Sequence, residues 1–193
     1  MSTAWGLPYE VPEAVLERAR DIRLAIFDVD GVMTDGSLYV GANGEDFKRF
    51  NVYDGHGLHL LSAGDITTAV ITARRSRALE HRARELGISH CLMARRNKLE
   101  ALGELRQATG FSDQQCCYVG DDVVDAPVLL RCGLAVSVPN AHRVTRQIAH
   151  WVTPSRGGSG AVREVCEMIL HAQEKLDPIL QSYLVLDDGQ GAS

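Results

Sequence analysis

The stretch Asp28-Val29-Asp30-Gly31-Val32-Met33-Thr34 sets two carboxylates two residues apart, directly after an apolar run. Downstream come the hydroxyl of Thr72 with Arg74 behind it, the ammonium of Lys98, and Gly120-Asp121-Asp122 with Asp125 one helical turn on. Several carboxylates cannot share a cleft without a cation, because like charges disfavour each other's ionisation. Oxygen donors alone suit a hard divalent ion, and a sparse set that leaves room for water suits Mg²⁺ better than Ca²⁺. Asp28, Asp30, Asp121 and Asp125, with Thr72 and Lys98, would then converge on one such site. Taken singly, each acid reads as a turn or a helix cap. An EF-hand start at Asp28 fails, since the twelfth position of that loop is Tyr39 and not Glu.

To meet, these residues need a scaffold that brings distant segments to one edge. Short apolar runs at residues 22–27, 66–72, 91–93, 116–119 and 134–138 each end in Gly, Asp or polar residues, as buried parallel strands do. Amphipathic stretches separate them. Leu79, Ala83 and Leu86 define one helix, closed by Gly87; Leu99, Leu102 and Leu105 define another, ending before Gly110. Residues 123–130 read as a third, and Val162, Val165 and Ile169 as a fourth, with a further helix around residues 58–63. The alternation implies βαβ units and a three-layer α/β/α sandwich around a parallel sheet, Rossmann-like, in which ligands bind outside the carboxyl ends of the strands. Residues 37–40 and 46–50 flank Gly41-Ala42-Asn43-Gly44 and read as a β-hairpin inserted after the first strand. The ends, residues 1–12 and 184–193, read as loose.

Composition narrows the partners. The 193 residues carry 20 Lys+Arg against 25 Asp+Glu, a net charge of -5, which argues against nucleic-acid binding. No apolar run approaches the ~20 residues of a membrane span, and the N-terminal stretch has no apolar core of a secretory signal. Five cysteines without a C-x-x-C pair exclude a zinc site and read as reduced, mostly buried thiols, with Cys116 and Cys117 on opposite faces of a strand. A cytoplasmic globular protein is expected.

The four motifs, in this order and at these spacings, resemble the haloacid dehalogenase superfamily of phosphatases. That resemblance implies Asp28 as the nucleophile, Asp30 as general acid and then base, and Thr72 and Lys98 as binders of the transferring phosphoryl group. It implies Mg²⁺ held by Asp28, the Asp30 carbonyl and Asp121, with Asp122 and Asp125 in support. It makes residues 14–175 the hydrolase domain, with a hairpin flap at about 37–50 and extensions at 1–13 and 176–193. Only 43 residues separate Asp28 from Thr72 and 22 separate Lys98 from Asp121, so no cap domain fits. A phosphatase still has to exclude water, and the hairpin or a neighbouring subunit is expected to do so.

Residues 35–39, 50–55, 71–74 and 157–164 are similar, within the uncapped branch, to a family of sugar-acid phosphatases of bacterial lipopolysaccharide synthesis, typically magnesium-dependent homotetramers. The resemblance maps sugar contacts onto Asn51, Val52, Tyr53, Asp54, Gly55, His59, Arg74, Arg82 and Lys98. Tyr53 and His59 stand where members carry basic residues, Ala73 replaces a Gly and Asn97 an Asp. Phosphatases of nine-carbon sugar acids or of another small phosphate ester, a phosphotransferase, and a non-catalytic metal-binding regulatory domain stay open on the sequence. Residues 156–160, with three glycines before a helix, resemble an anion cradle but equally a plain loop-to-helix turn; the Gly-Lys-Ser/Thr ending of a nucleotide loop is missing.

Overall fold

The computed structural model describes residues 5–42 and 44–184, and of residues 44–46 the backbone only. The chain begins with α1 (Glu13–Ala19) and then enters the first strand, β1 (Leu24–Phe27). A hairpin follows, β2 (Tyr39–Gly41) and β3 (Gly44–Phe47), and then α2 (Val52–Ala63), β4 (Thr67–Ile71), α3 (Arg77–Glu85) and β5 (His90–Leu92). The second half runs α4 (Lys98–Thr109), β6 (Cys116–Gly120), α5 (Ala126–Leu129), β7 (Leu134–Ser137), α6 (Arg143–Ile148), β8 (Trp151–Val152), α7 (Ala161–Ala172) and α8 (Leu176–Ser182). Six strands form one parallel sheet in the order β5-β4-β1-β6-β7-β8. The predicted α/β sandwich is what forms.

Strand alternation divides the interior into two apolar layers. Ala25, Phe27, Cys117 and Val119 point to the layer filled by α1, α2, α3 and α7 through Val15, Leu58, Leu79, Val165 and Ile169. Leu24, Ile26, Cys116 and Tyr118 point to the opposite layer, filled by α4 and α5 through Leu102, Leu105, Val128 and Leu129. Cys116 and Cys117 thus face opposite layers, as their adjacency predicts. Helix starts are fixed locally. The side chains of Ser76 and Asn97 accept from the amides of Leu79 and Glu100, so α3 and α4 begin where strands β4 and β5 have just released the chain.

Several elements differ from the sequence reading, each for a physical reason. β8 is only two residues long at the sheet edge, too short to leave an apolar run. The helix expected over residues 123–130 is a 3₁₀ turn (Val123–Asp125) and then α5, with Pro127 inside its first turn. Leu99 is exposed; Ala101, Leu102 and Leu105 are the apolar face of α4, and Lys98 is buried on the side that meets the sheet edge. The hairpin is narrower than residues 37–50, since Lys48, Arg49 and Phe50 have left the strand; its turn residue Asn43 lies outside the described residues. Residues 5–12 have no helix or strand, yet Leu7, Tyr9 and Val11 pack on the core. Tyr9 stacks on Trp151 with ring centroids 5.8 Å apart and donates its hydroxyl to the Glu164 carbonyl. The tail at residues 185–193 lies outside the described residues. Among those described, no helix is long and apolar enough to cross a membrane.

Replacing Tyr9 by Ala removes that stacking and the cover over Trp151. We expect a loss of about 2 kcal/mol or more and a red shift of tryptophan emission, both read from urea unfolding; unchanged stability would show the N-terminal segment to be idle.

Candidate active site

β1 and β4 lie side by side with Phe27 opposite Val70, and β1 and β6 with Phe27 opposite Val119. Asp28, Thr72 and Asp121 therefore leave the sheet at one edge, from three adjacent central strands. Asp28 and Thr72 are both buried. The Asp28 amide still bonds the Val119 carbonyl, and the Thr72 amide bonds Leu92, so both side chains leave from fixed backbone.

Lys98, the first residue of α4, reaches into this edge. Its ammonium lies 2.9 Å from Asp28 Oδ1 and 2.5 Å from Asp125 Oδ1. Asp125 is wholly buried, and the amides of Asp121 and Asp122 donate to its other oxygen at 3.0 Å each. Room for it comes from Gly120: a Cβ there would stand 2.6 Å from Asp125 Cβ and 2.9 Å from its Oδ2. Oxygens of Asp28, Asp121 and Asp125 all lie within 4.8 Å of one another.

The electrostatics of this cluster are unbalanced. Burial, then the neighbouring carboxylates, push the Asp121 acid up to about 8. Burial also pushes Asp28 up to about 6, with Lys98 opposing and Asp125 reinforcing. Burial works against the Lys98 charge, but Asp28 and Asp125 outweigh it and hold its pKa above the usual value. Three acids thus face one ammonium, and Asp121 Oδ1 is buried with no hydrogen-bond partner among the described residues. A hard divalent cation fits this set: it supplies the missing charge, and the free oxygen is a ligand already in place.

Asp30 stands apart from the three-acid cluster. Its Oδ1 accepts from Lys48 Nζ at 2.5 Å, and the Lys48 side chain is almost entirely buried. Lys48 was not singled out in the sequence because residues 46–50 read as plain strand; its position just past β3 folds it back over the loop. That loop, Val29–Met33, is tightly wound around Gly31, whose φ of 100° places it where a side chain is strained. A Cβ on Gly31 would also meet Asp121 Oδ2 at 2.1 Å. The Thr34 hydroxyl ties the loop shut by bonding the Val29 carbonyl.

The glycine-rich loop at residues 156–160 is a clamp and not an anion cradle. Gly157 donates to Asn140 Oδ1 at 2.8 Å, Gly158 to the Val32 carbonyl at 2.9 Å, Ser159 to Arg156, and Gly160 to Asp54 at 3.3 Å, so these amides are spent inside the protein. Asn140, also unforeseen, donates in turn to the Gly31 carbonyl at 2.9 Å and so bonds both loops at once. A Cβ on Gly157 would sit 1.8 Å from that carbonyl.

The remaining sequence candidates divide. Asp122 is exposed and caps the turn after β6 through Val123. Asn51 caps α2 through the Tyr53 amide and reaches the Gly158 carbonyl. Asp54 is buried and holds the start of α7 through the amides of Gly160 and Arg163, so its carboxylate is turned into the fold. Gly55 makes room for Arg82, whose guanidinium would clash with a Cβ at 2.3 Å and which also pairs with Glu85. Val52, Tyr53, His59 and Arg74 are exposed.

An Asp-x-Asp loop after the first strand, a lysine at a helix start and acids after the central strand β6, on this parallel sheet, define a haloacid dehalogenase-like hydrolase. Residues 90–165 match the model of that family, described as haloacid dehalogenase-like hydrolase. The chain is 48% identical over 167 residues to the 3-deoxy-D-manno-octulosonate 8-phosphate phosphatase KdsC of Yersinia pestis, covering 86% of this chain and 89% of that one. It is 44% identical to KdsC of Escherichia coli K12, over 92% and 93% of the two chains. A crystal structure of the Moraxella catarrhalis phosphatase, in complex with magnesium, phosphate and KDO, superposes with a TM-score of 0.87 at 39% identity, covering 90% of this chain and 99% of that one. The chain belongs to the 3-deoxy-D-manno-octulosonate 8-phosphate phosphatase family of these hydrolases.

Two outcomes test this geometry. Asp28 and Asp121 hold protons more tightly folded than unfolded, so the metal-free fold carries extra protons from their ordinary value of 3.8 up to about 8. Its stability should fall as pH rises through that window, and Mg²⁺ should raise the melting temperature more at pH 8 than at pH 5. Asp121→Asn should flatten both dependences in a scan with EDTA or Mg²⁺; an unaltered pH slope would contradict the assignment. Gly157→Ala should cost about 3 kcal/mol and lower kcat/KM by roughly 10²-fold, because the Gly31 loop must shift; urea unfolding and steady-state kinetics measure the two.

Proposed function

We propose that this chain is a magnesium-dependent phosphomonoesterase that hydrolyses 3-deoxy-D-manno-octulosonate 8-phosphate to the free sugar acid and inorganic phosphate. The observation that carries the reading is the contact of Lys98 with Asp28 beside the unpartnered oxygen of Asp121, in a chain 48% identical to an enzyme of that name. Asp28 attacks phosphorus, the bond from phosphorus to the sugar oxygen breaks, and Asp30 gives its proton to the departing alkoxide. Water then attacks the aspartyl-phosphate while Asp30 takes its proton, releasing phosphate and restoring Asp28. Lys98 and the Thr72 hydroxyl hold the phosphoryl oxygens. Asp28, Asp121 and the Asp30 carbonyl would hold Mg²⁺, which when bound offsets the charge of nucleophile and phosphate.

The sugar end is read by Arg74, Arg82 and His59 at the mouth, with Asn51, Val52, Tyr53, Asp54 and Gly55 shaping the start of α2. Arg74 and Arg82 are the cations suited to the substrate carboxylate, since Tyr53 offers none. Tyr39, Val40 and Phe47 of the hairpin, Leu38 just before it, and Val52 and Tyr53 at the start of α2 are exposed apolar side chains. Exposed apolar side chains of this kind favour burial against another subunit, and a cytoplasmic homotetramer with hairpins closing neighbouring sites is the assembly we propose.

The test is a panel of sugar phosphates ranked by kcat/KM, with Mg²⁺ and with EDTA. The octulosonate ester should rank first, EDTA should abolish turnover, and Asp28→Asn should reduce it by roughly 10³-fold or more. Faster turnover of a nine-carbon sugar-acid phosphate would replace the substrate, and no turnover of any ester would reject the enzyme.

A further inference from the structure

Tyr118 lies wholly inside the fold, among the apolar side chains of the layer that holds Leu102, Leu105 and Val128. A phenylalanine would satisfy that packing with no polar atom to place, and a buried hydroxyl is costly unless it is hydrogen-bonded. The hydroxyl has one specific use. It donates to Asp125 Oδ1 at 2.6 Å, the same oxygen that accepts Lys98 Nζ at 2.5 Å. Burial and the nearby carboxylates of Asp125 and Asp28 hold the phenol well above its usual pKa, so it stays a donor.

Asp125 has four partners, and each has a place in the chain. Tyr118 lies near the end of β6, the amides of Asp121 and Asp122 follow it, and Lys98 opens α4. The two amides fix one carboxylate oxygen. The phenol fixes the other, so that the ammonium meets an oxygen already held in place. Without the phenol, Oδ1 would be held by Lys98 alone, and a flexible lysine stem would choose the distance to Asp28.

We propose that Tyr118 is a positioning residue for Lys98: through Asp125 Oδ1 it fixes where the ammonium stands relative to Asp28 and to the phosphoryl oxygens. The proposal rests on the phosphatase reading above for its kinetic arm only. Tyr118→Phe keeps the ring and its packing and removes the one bond. In the Mg²⁺-loaded enzyme we expect it to fold, to lower kcat/KM by roughly 10- to 100-fold, and to weaken competitive inhibition by inorganic phosphate by about ten-fold. In a Lys98→Met background the same change should alter phosphate affinity by less than about two-fold, since its target is gone.

A third readout needs no turnover. Lys98 is almost fully shielded, and its acetylation by a lysine reagent, followed by mass spectrometry, should accelerate in Tyr118→Phe relative to that of the half-buried Lys175. A lower melting temperature with unchanged kcat/KM, phosphate affinity and Lys98 labelling would overturn the proposal and leave Tyr118 a packing residue. Equal losses with and without Lys98 would overturn it as well. Should Tyr118→Phe fail to fold, Asp125→Asn takes its place in the labelling test, and undiminished protection of Lys98 there would be equally fatal. A wild-type enzyme that hydrolyses no phosphate ester would remove the phosphatase reading, while the labelling experiment would still decide the role of Tyr118.

Discussion

Lys98 carries a positive charge into a place from which water is almost excluded, and the structure around it is arranged to make that tolerable. A buried ion pair is not in itself a source of stability, because desolvating two charges can cost as much as their attraction returns. Here the ammonium contacts two carboxylates, and one of them, Asp125, is satisfied by four donors. The other, Asp28, is left with Lys98 as its counter-charge and with Asp121 close by. The arrangement is therefore complete on the Asp125 side and deficient in positive charge on the Asp28 side. That asymmetry suits the phosphoryl transfer proposed for this site: an ammonium bonded to two carboxylates, and a proposed nucleophile, Asp28, whose environment still calls for a cation.

The scaffold serves that asymmetry through close approach. β1, β4 and β6 are adjacent in the sheet, so three chemically active segments start within a strand spacing of one another although they are far apart in sequence. Side chains at the crossing points would hold them off. Gly31 and Gly120 lie where carboxylates of Asp121 and Asp125 press against backbone, and Gly157 where two loops touch. Asn140 then makes the contact between those loops directional, with its amide donating one way and its carbonyl accepting the other. The same loop is tied to α2 through Asp54. Positioning of the Val29–Met33 loop thus reaches to α7 and α2, well away from the acids themselves.

How much of this was legible in the sequence follows from the range of each signal. Buried parallel strands announce themselves as apolar runs ending in Gly or Asp, so the sandwich and the convergence of Asp28, Lys98, Asp121 and Asp125 could be read. β8 could not, since two residues at a sheet edge make no run. Asp54 looked like a substrate ligand because its motif lies among sugar-contacting positions, yet a carboxylate beside a helix start in space, over a hundred residues away in sequence, is taken by that helix's amides. The loop at residues 156–160 has the composition of an anion cradle; where its amides point depends on Asn140 and Val32, which no local pattern specifies. Lys48, Tyr118 and Asn140 share this character. Each acts through one long-range hydrogen bond, and a single bond leaves no periodicity.

Lys48 shows what an uncapped architecture asks of its hairpin. The strand that precedes it belongs to the two-stranded ribbon β2–β3, which shares no strand pairing with the central sheet. A short isolated ribbon is only marginally stable by itself, and this one exposes Tyr39, Val40 and Phe47. Its base is nonetheless fixed, because Lys48 is buried against Asp30, and next to it Arg49 contacts Asp35, two residues past the Val29–Met33 loop. The ribbon is therefore anchored on the loop it overhangs and free of the sheet behind it. Asp30 is thus bonded to the base of the ribbon through Lys48, whereas Asp28 is bonded to Val119 of β6 and Lys98 of α4. The proposed general acid is thereby bonded to the base of the hairpin, while the proposed nucleophile is bonded to the core.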